Sequence, residues 1–435
     1  MDVSRRNMLA YAAGMLLPFS SYEARADVPS LVFPADALVE SLGVCVHLSY
    51  SNTVYGHFDD IIVPLARDLG IRYARDGIPT GPKATPRVWQ YVRGREFVEN
   101  GIKFSCVTVD ALYGALRTDY AQLDDAFDWY AQGIDMFEGS NESNLTRKAE
   151  WPSAVVEHQR ALYAYVKQSK KLQHIPVAGP ALFIPGNVPA GDYSDAVDFG
   201  NVHAYPGSAH PESTRDGNLE FYIRGAAANT GDKPIIVSET GYHAALETTS
   251  GHPPVSEPMI ARYLPRLALN CFRKNMRRTF IYELADTYNR GPADKESNFG
   301  LARSSGEPKA GYLALRNLIA LFNDKGAVVQ TRPLRAVLAG DNPTDAYVMV
   351  FQRSNREYLL ALWLGIPGWN KDLKQTIEPT VRRFKLQLDR SMKIVEITTF
   401  DDSGNIKTEK NGATAPEIAV SVSDQLSVLR LVEVS

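Results

Sequence analysis

The stretch GIDMFEGSNESN, residues 133–144, places a short apolar run directly before a cluster of polar, turn-forming residues. Glu138 and Glu142 bracket a Gly-Ser-Asn turn at the point where the apolar run stops. A loop that follows a buried strand is a common place for chemically active side chains. Asn, Gly, Ser and Glu are also ordinary turn residues. Taken alone, the stretch therefore leaves a solvated turn as the alternative.

The same arrangement recurs along residues 42–324, where eight short β-rich runs alternate with segments of helical periodicity. Eight β-then-α units of this size predict an α/β fold, a (β/α)8 TIM barrel. A doubly wound parallel sheet is the rival fold, but no glycine-rich phosphate loop follows any predicted strand. The predicted strands cover residues 42–50, 70–77, 101–110, 133–139, 176–182, 197–205, 233–240 and 277–286.

The pattern changes after residue 324, where short strand-like segments separated by Asn, Asp, Gly and Pro replace the helical ones. This spacing predicts a C-terminal antiparallel β-sandwich. We therefore expect the barrel over residues 27–324 and an accessory β-sandwich over residues 325–435, with residues 27–40 as a candidate for one more sandwich strand. The predicted sandwich strands include residues 346–353, 357–365, 382–389, 393–401 and 425–434.

Residues 1–26 have the pattern of an export signal. Arg5 and Arg6 precede an apolar stretch, and Ala24-Arg25-Ala26 has the small-x-small pattern of a signal-peptidase site. The apolar stretch is too short to span a bilayer comfortably. We predict a twin-arginine signal peptide and a periplasmic or extracellular mature chain without a membrane span. An N-terminal amphipathic helix is the alternative.

The composition limits the possible partners. With 44% hydrophobic and 22% charged residues and a formal net charge of −3, the chain has no broad basic field for nucleic acid. The three cysteines lack CxxC spacing, and no histidine pair has the spacing of zinc ligands. We expect a monomer that binds no nucleic acid, with no metal and no cofactor.

In a barrel of this kind the active site is built at the carboxyl ends of the strands. Two carboxylates delivered there by strands four and seven suit glycosidic cleavage. One protonates the leaving oxygen, while the other attacks the sugar or activates water on the opposite face. An arginine and a phenol nearby would keep the nucleophile ionised, whereas burial or the other carboxylate's charge would raise the proton affinity of the acid.

The ordered set of strand-end residues resembles the retaining glycoside hydrolases of clan A. In that clan an Asn-Glu pair ends strand four and a second Glu ends strand seven, places that Asn141-Glu142 and Glu239 match. The resemblance implies that Glu142 is the acid/base, that Glu239 is the nucleophile, and that Asn141 contacts the sugar 2-hydroxyl. The chemistry implied is double displacement at a glycosidic bond of an oligo- or polysaccharide.

Two further motifs support the resemblance. His203-Ala204-Tyr205 matches the His-x-Tyr of strand six, and Arg75 matches the strand-two arginine. The C-terminal sandwich is most similar to that of family thirty-nine and its relatives, a group of xylosidases and exopolysaccharide hydrolases. A bacterial exopolysaccharide is therefore one candidate substrate. The tryptophan that commonly ends strand eight is absent, and Tyr282-Glu283 stands in its place, which leaves the identity of the sugar open.

Alternatives remain for single residues. His203 could be a hydrogen-bonded core histidine, and Arg75 could pair only with Asp76. For Glu138 we favour a structural role over a catalytic one. Trp151, Phe183 and Tyr242 are candidates for stacking on sugars, with apolar packing as the alternative. The predicted substrate-binding residues are Arg75, Asn141, His203, Tyr205, His47, Asp110, Tyr282 and Glu283.

Two other functions compete with the hydrolase. One is a barrel that binds carbohydrate without cleaving it, although such a protein has no need of two opposed carboxylates. The other is a metal-dependent barrel hydrolase, but the His-x-His pair of its first strand is missing, because VCVHLS offers only His47.

Overall fold

A computed structural model of the chain describes residues 31–183, 190–214, 218–249, 251–325, 329–340 and 343–434. The predicted signal peptide, residues 1–26, lies outside the described residues. Within the described ranges no helix is both long and apolar enough to cross a membrane.

Eight parallel strands form the predicted barrel. In space they follow the order five, four, three, two, one, eight, seven, six, so the first strand lies between the second and the eighth. A parallel bridge between Ala178 and Phe199 joins the fifth strand to the segment leading into the sixth and closes the ring. The (β/α)8 prediction is confirmed. The strands are Leu42–Cys45, Tyr73–Gly77, Lys103–Val107, Ile134–Glu138, Val177–Ala178, Gly200–His203, Ile235–Thr240 and Thr279–Ile281.

The helices cover the outside of the barrel. The predicted helix after strand two, for example, ends at Glu99 and is followed by Gly101 at φ +82°, a conformation that favours glycine. The fifth unit has the short 3-10 helix Ser194–Ala196 instead of an α-helix. The α-helices are Ala35–Glu40 before the barrel, then Val63–Leu69, Trp89–Glu99, Leu123–Trp129, Trp151–Gln168, Leu219–Thr230, Glu257–Arg273 and Ala310–Phe322.

Most barrel strands are shorter at their carboxyl ends than predicted. The third strand, predicted to run to residue 110, ends at Val107, and Asp110 instead caps the 3-10 helix Ala111–Leu116 by accepting a hydrogen bond from Leu112 N. The polar residues predicted at the strand tips therefore lie mostly in the first turns of the loops. That position places them at the mouth of the barrel.

The second domain is a mixed sheet that is antiparallel except at one edge. Val32–Pro34 pairs in parallel with Ala346–Gln352, so the candidate strand in residues 27–40 is present. The other paired strands of this sheet run antiparallel. The predicted C-terminal β domain is confirmed as a separate sheet, which is mixed rather than wholly antiparallel because of this edge strand. Its remaining strands are Ala336–Ala339, Tyr358–Leu364, Arg382–Phe400, Ile406–Lys410, Thr414–Val422 and Ser427–Glu433, with a small hairpin of Trp369–Asn370 and Gln375–Thr376.

One prediction for this domain was wrong. The segments 382–389 and 393–401, predicted as two strands, form the single 19-residue strand Arg382–Phe400. No turn separates them, because the backbone stays paired through a register shift between Gln387 and Met392. Such an irregularity bends a strand without ending it. The bent strand pairs with Ala336–Ala339 along its first half and with Ile406–Lys410 along its second.

Buried charges join the two domains. Arg266, on the barrel helix Glu257–Arg273, donates from Nε to Glu212 Oε1 at 3.1 Å and from Nη1 to the carbonyl oxygen of Asp424 at 3.0 Å. Trp363 of the second domain donates to the same Glu212 oxygen at 2.7 Å. Arg262, one turn earlier on the helix, bonds Asp424 Oδ2 at 2.9 Å. The helix is therefore buried on both the barrel side and the sandwich side.

Candidate active site

Strands four, six and seven bring two carboxylates and an imidazole together at the barrel mouth. Ligand atoms of Glu142, His203 and Glu239 all lie within 4.8 Å of one another. His203 Nδ1 is 2.8 Å from Glu142 Oε1 and 3.4 Å from Glu239 Oε2. The carboxylates keep 22% and 13% of their side-chain surface exposed, whereas the imidazole keeps 1%. Both carboxylates are thus partly exposed, and the buried imidazole contacts both of them.

Both oxygens of Glu239 accept hydrogen bonds. Arg75 Nη1 donates to Oε1 at 2.6 Å, and the Tyr205 hydroxyl donates to Oε2 at 2.8 Å. Burial raises the pKa of Glu239, but the charges of His203 and Arg75 and the Tyr205 hydrogen bond outweigh burial, so that the pKa lies below its usual value. Glu239 is therefore held ionised.

Arg75 is itself fixed by two other partners. Its Nε donates to Glu138 Oε2 at 2.9 Å, and its Nη2 donates to Asn141 Oδ1 at 2.9 Å. Glu138 is 1% exposed and also accepts from Asn201 Nδ2 at 3.3 Å. The alternative that Arg75 pairs only with Asp76 is wrong. Glu138 has the structural role favoured by the sequence, because it aims the guanidinium at Glu239.

The loop that carries Glu142 is tied down on both sides. Glu142 adopts the left-handed conformation, at φ +46°, which costs roughly 1–2 kcal/mol for a residue with a side chain. Its backbone N–H donates to Ala181 O at 2.8 Å. The hydroxyl of Ser143 donates to Asp110 Oδ2. Asp110, predicted to contact the substrate, therefore has both carboxylate oxygens engaged within the protein.

Two more predicted residues form a separate pair beside this cluster. His47 Nε2 lies 3.0 Å from Glu283 Oε2, and Glu283 is 1% exposed. Burial lowers the pKa of His47, but its hydrogen bond to Glu283 and the charge of that carboxylate outweigh burial and raise it. The pair exists because barrel closure makes the first and eighth strands neighbours. Tyr282 donates to Glu296 at 3.3 Å, and its ring centroid lies 6.4 Å from that of Tyr205.

Sequence reasoning missed the residues that pack around Tyr205. The ring centroids of His252 and Phe299 lie 5.1 Å and 5.6 Å from that of Tyr205, both in edge-on contact. These residues belong to the loops after strands seven and eight, where the sequence has no regular period. Only their place in the loops that follow predicted strands seven and eight could have suggested a position near the mouth.

The three central residues also have the composition of a metal site. However, Arg75 and Tyr205 already donate to the two oxygens of Glu239, and a guanidinium 2.6 Å away opposes a nearby cation by like charge. We assign no metal or cofactor to these residues, and their absence remains a prediction.

Solved structures of glycoside hydrolases share this architecture. A family 39 glycoside hydrolase from the gut symbiont Bacteroides cellulosilyticus WH2 matches with a TM-score of 0.63 at 19% identity, over 92% of this chain and 82% of that one. A glucosidase from Croceicoccus marinus matches with a TM-score of 0.60 at 10% identity, over 94% and 97% of the two chains. The chain has the glycoside hydrolase fold. A family 51 α-L-arabinofuranosidase from Bifidobacterium longum matches with a TM-score of 0.55 at 11% identity, over 93% and 97%.

These likenesses concern the fold. The resemblance to family thirty-nine and its relatives, a barrel with a C-terminal β-sandwich, is confirmed at that level. No protein-family model and no curated protein matches the chain. The activity must therefore be argued from the site.

Proposed function

We propose that the protein is a retaining glycoside hydrolase that cleaves a glycosidic bond of an oligo- or polysaccharide by double displacement. The observation that carries the proposal is the environment of Glu239. Arg75 and Tyr205 donate to its two oxygens, its pKa is lowered, and Glu142 lies across from it within contact of the same imidazole. A nucleophile must be ionised and aimed, and Glu239 is both.

The reaction follows from these positions. Glu142 donates its proton to the leaving oxygen while Glu239 attacks the anomeric carbon and forms a glycosyl ester. Glu142, now ionised, takes a proton from water, and the water attacks the same carbon and releases Glu239. Asn141 Oδ1 accepts from Arg75, which leaves the amide nitrogen of Asn141 as a donor for the sugar 2-hydroxyl.

The spacing of the carboxylates supports retention over inversion. Retaining enzymes hold the two groups about 5–5.5 Å apart, whereas inverting enzymes leave roughly 6.5–9.5 Å for a water molecule. Ligand oxygens of Glu142 and Glu239 lie within 4.8 Å of each other. This spacing is closer to the retaining arrangement than to the inverting one.

The proposed partner is a carbohydrate, and a bacterial exopolysaccharide is the first candidate. It is suggested by the resemblance to family thirty-nine and by the twin-arginine pattern of residues 1–26, which would send the mature chain to the periplasm or beyond the cell. Export and a monomeric state are further parts of the proposal.

A panel of bacterial exopolysaccharides and plant glycans, with products sized by mass, tests the proposal. The wild type should shorten at least one glycan. Glu239→Gln and Glu142→Gln should each lower turnover by a factor of about 10³ or more, since each removes a group that acts in the transition state. Glu307→Gln, an exposed carboxylate with 69% of its side chain accessible, is the matched control and should keep wild-type turnover.

Two results would contradict the proposal. If the chain binds a glycan from the panel without shortening it, the carbohydrate-binding alternative is correct. If Glu239→Gln cleaves that glycan at the wild-type rate, then Glu239 is not the nucleophile.

A further inference from the structure

Two aromatic rings beside Glu142 are exposed at the barrel mouth. Tyr113 follows strand three and is 40% exposed, and Phe183 follows strand five and is 45% exposed. Of the three residues considered for sugar stacking, Tyr242 is 2% exposed and Trp151 is partly buried against an apolar cluster, so Phe183 is the most exposed. Exposed rings at a cleft are candidates for ligand contact.

Hydrogen bonds connect both residues to the loop that carries the acid. The Tyr113 hydroxyl lies 3.5 Å from the carbonyl oxygen of Asn141, the residue before Glu142. The main chain of Phe183 makes two bonds to the side chain of Asn144, its N–H donating to Oδ1 at 3.0 Å and its carbonyl accepting from Nδ2 at 2.7 Å. The main chain of Phe183 and the hydroxyl of Tyr113 thus both contact the short loop that presents Glu142.

The pKa of Tyr113 is shifted by burial and by the carboxylates around it. Partial burial raises the pKa of Tyr113, and the charges of Asp110 and Glu142 raise it further. The opposite side of the cluster has a different lining, because Arg75 and Tyr205 contact Glu239 there. The aromatic surface therefore belongs to the acid side of the site.

We propose that Tyr113 and Phe183 form an acceptor-side subsite, which binds the sugar ring attached to the leaving oxygen. A general acid must lie within about 2.6–3.2 Å of the oxygen it protonates. The ring that carries this oxygen must then lie next to the residues flanking Glu142. The C–H face of a sugar is apolar and packs on an aromatic ring, while its hydroxyls stay hydrated.

This inference rests on the proposed function and adds the class of leaving group. The ligand is a saccharide leaving group, one or more sugar rings long, rather than a small alcohol. The subsite should therefore contribute to cleavage between sugars and contribute nothing when the leaving group has no ring.

Glycosyl fluorides make this distinction, since fluoride carries no ring into the subsite. The wild type is assayed on α- and β-fluorides of neutral, N-acetylated and uronic sugars, and on an oligosaccharide of each sugar that reacts. Phe183→Ala and Tyr113→Ala should each lower kcat/KM for the oligosaccharide roughly tenfold, the size expected for one lost stacking contact. Their kcat/KM for the fluoride should stay within about twofold of wild type, because fluoride has no ring to stack. Val92→Ala, which truncates a 45% exposed side chain on the helix Trp89–Glu99, is the matched control.

The outcomes separate the two proposals. If kcat/KM of both variants falls by the same factor on the fluoride and on the oligosaccharide, the rings support the fold and the subsite is refuted. If both keep wild-type kcat/KM on the oligosaccharide, the subsite is also refuted, while the hydrolase stands. If the wild type hydrolyses neither class of substrate, the proposed function fails and the subsite fails with it.

Discussion

Arg75 and Tyr205 reach Glu239 from different strands and give its two oxygens unequal support. Arg75 supplies a charge, whereas Tyr205 supplies a neutral hydrogen bond at 2.8 Å. The hydroxyl of Tyr205 stays a donor, because burial first, and then the charge of Glu239, raise its pKa well above the usual value. Glu239 is therefore kept ionised while 13% of its side-chain surface stays exposed.

Tyr205→Phe should shift the pH profile in a defined direction. The hydrogen bond lowers the pKa of Glu239, so losing it raises that pKa. The ionised form is required, and activity is lost as the pH falls through this pKa. The acid limb of kcat/KM should therefore move to higher pH, with kcat reduced by a factor of roughly 10² at the optimum. Steady-state rates between acidic and neutral pH would show both effects.

The control for this variant is Tyr163→Phe on the outer helix Trp151–Gln168. It removes a hydroxyl that donates to Asp198 Oδ1 at 3.4 Å. It should leave the pH profile unchanged. An acid limb in Tyr205→Phe that coincides with that of the wild type would show that the hydrogen bond does not tune Glu239.

At the level of the element, the loop after strand four depends on a neighbouring loop for its shape. The Ser143 hydroxyl donates to Asp110, which in turn caps the helix Ala111–Leu116 through Leu112 N. Because Glu142 sits at φ +46°, nearby contacts must stabilise a conformation that the isolated loop would avoid. Asp110 is thus a positioning residue for the acid.

Ser143→Ala should loosen this loop. We expect kcat to fall by roughly tenfold with a small change in KM, because the acid loses its fixed position while the sugar contacts remain. Kinetics on the glycan cleaved by the wild type would measure it. Ser153→Ala, on the exposed face of the helix Trp151–Gln168, serves as the control. A wild-type kcat in Ser143→Ala would remove the positioning role of Asp110.

The sequence predicted the elements better than the contacts between them. Each of Asn141, Glu142 and Glu239 was recognisable because it ends or directly follows an apolar run, and the order of the strands then places these residues together. The side chain of Asp110 could not be assigned, because beyond Val107 the strand ladder stops and its alternation no longer fixes the direction of a side chain.

Contacts that depend on closure of the barrel or on bending of a strand could not be predicted from the sequence either. His47 and Glu283 can pair only because the first and eighth strands are neighbours. Closure of the barrel makes these strands neighbours, and local sequence patterns do not show it. The strand Arg382–Phe400 read as two strands because the polar residues at its bend have the composition of a turn. Both cases are decided by tertiary pairing.

On the scale of the whole molecule, the second domain packs against the barrel around buried ion pairs. Arg266 and Glu212 are 0% and 1% exposed at their side chains, and Trp363 of the second domain bonds the same carboxylate. Removing one partner from a buried pair leaves an uncompensated charge, which costs more than the pair itself contributes.

Arg266→Ala should therefore destabilise the protein by about 3–5 kcal/mol, the usual cost of an unpaired buried charge. Urea unfolding followed by circular dichroism would measure the loss. Arg303→Ala, which breaks the partly exposed pair with Glu257, should cost about 1 kcal/mol or less. Equal losses in the two variants would mean that burial adds nothing to the cost of breaking the Arg266–Glu212 pair.

As a nucleophile, Glu239 would form a covalent glycosyl-enzyme intermediate, and the stereochemistry of the product depends on it. Proton NMR of the first sugar released, recorded before mutarotation, reports this chemistry directly. Two successive displacements at one carbon restore its configuration. We expect the new reducing end to appear first with the anomeric configuration of the substrate. A first product with the inverted configuration would mean that water attacks directly and that Glu239 acts as a base.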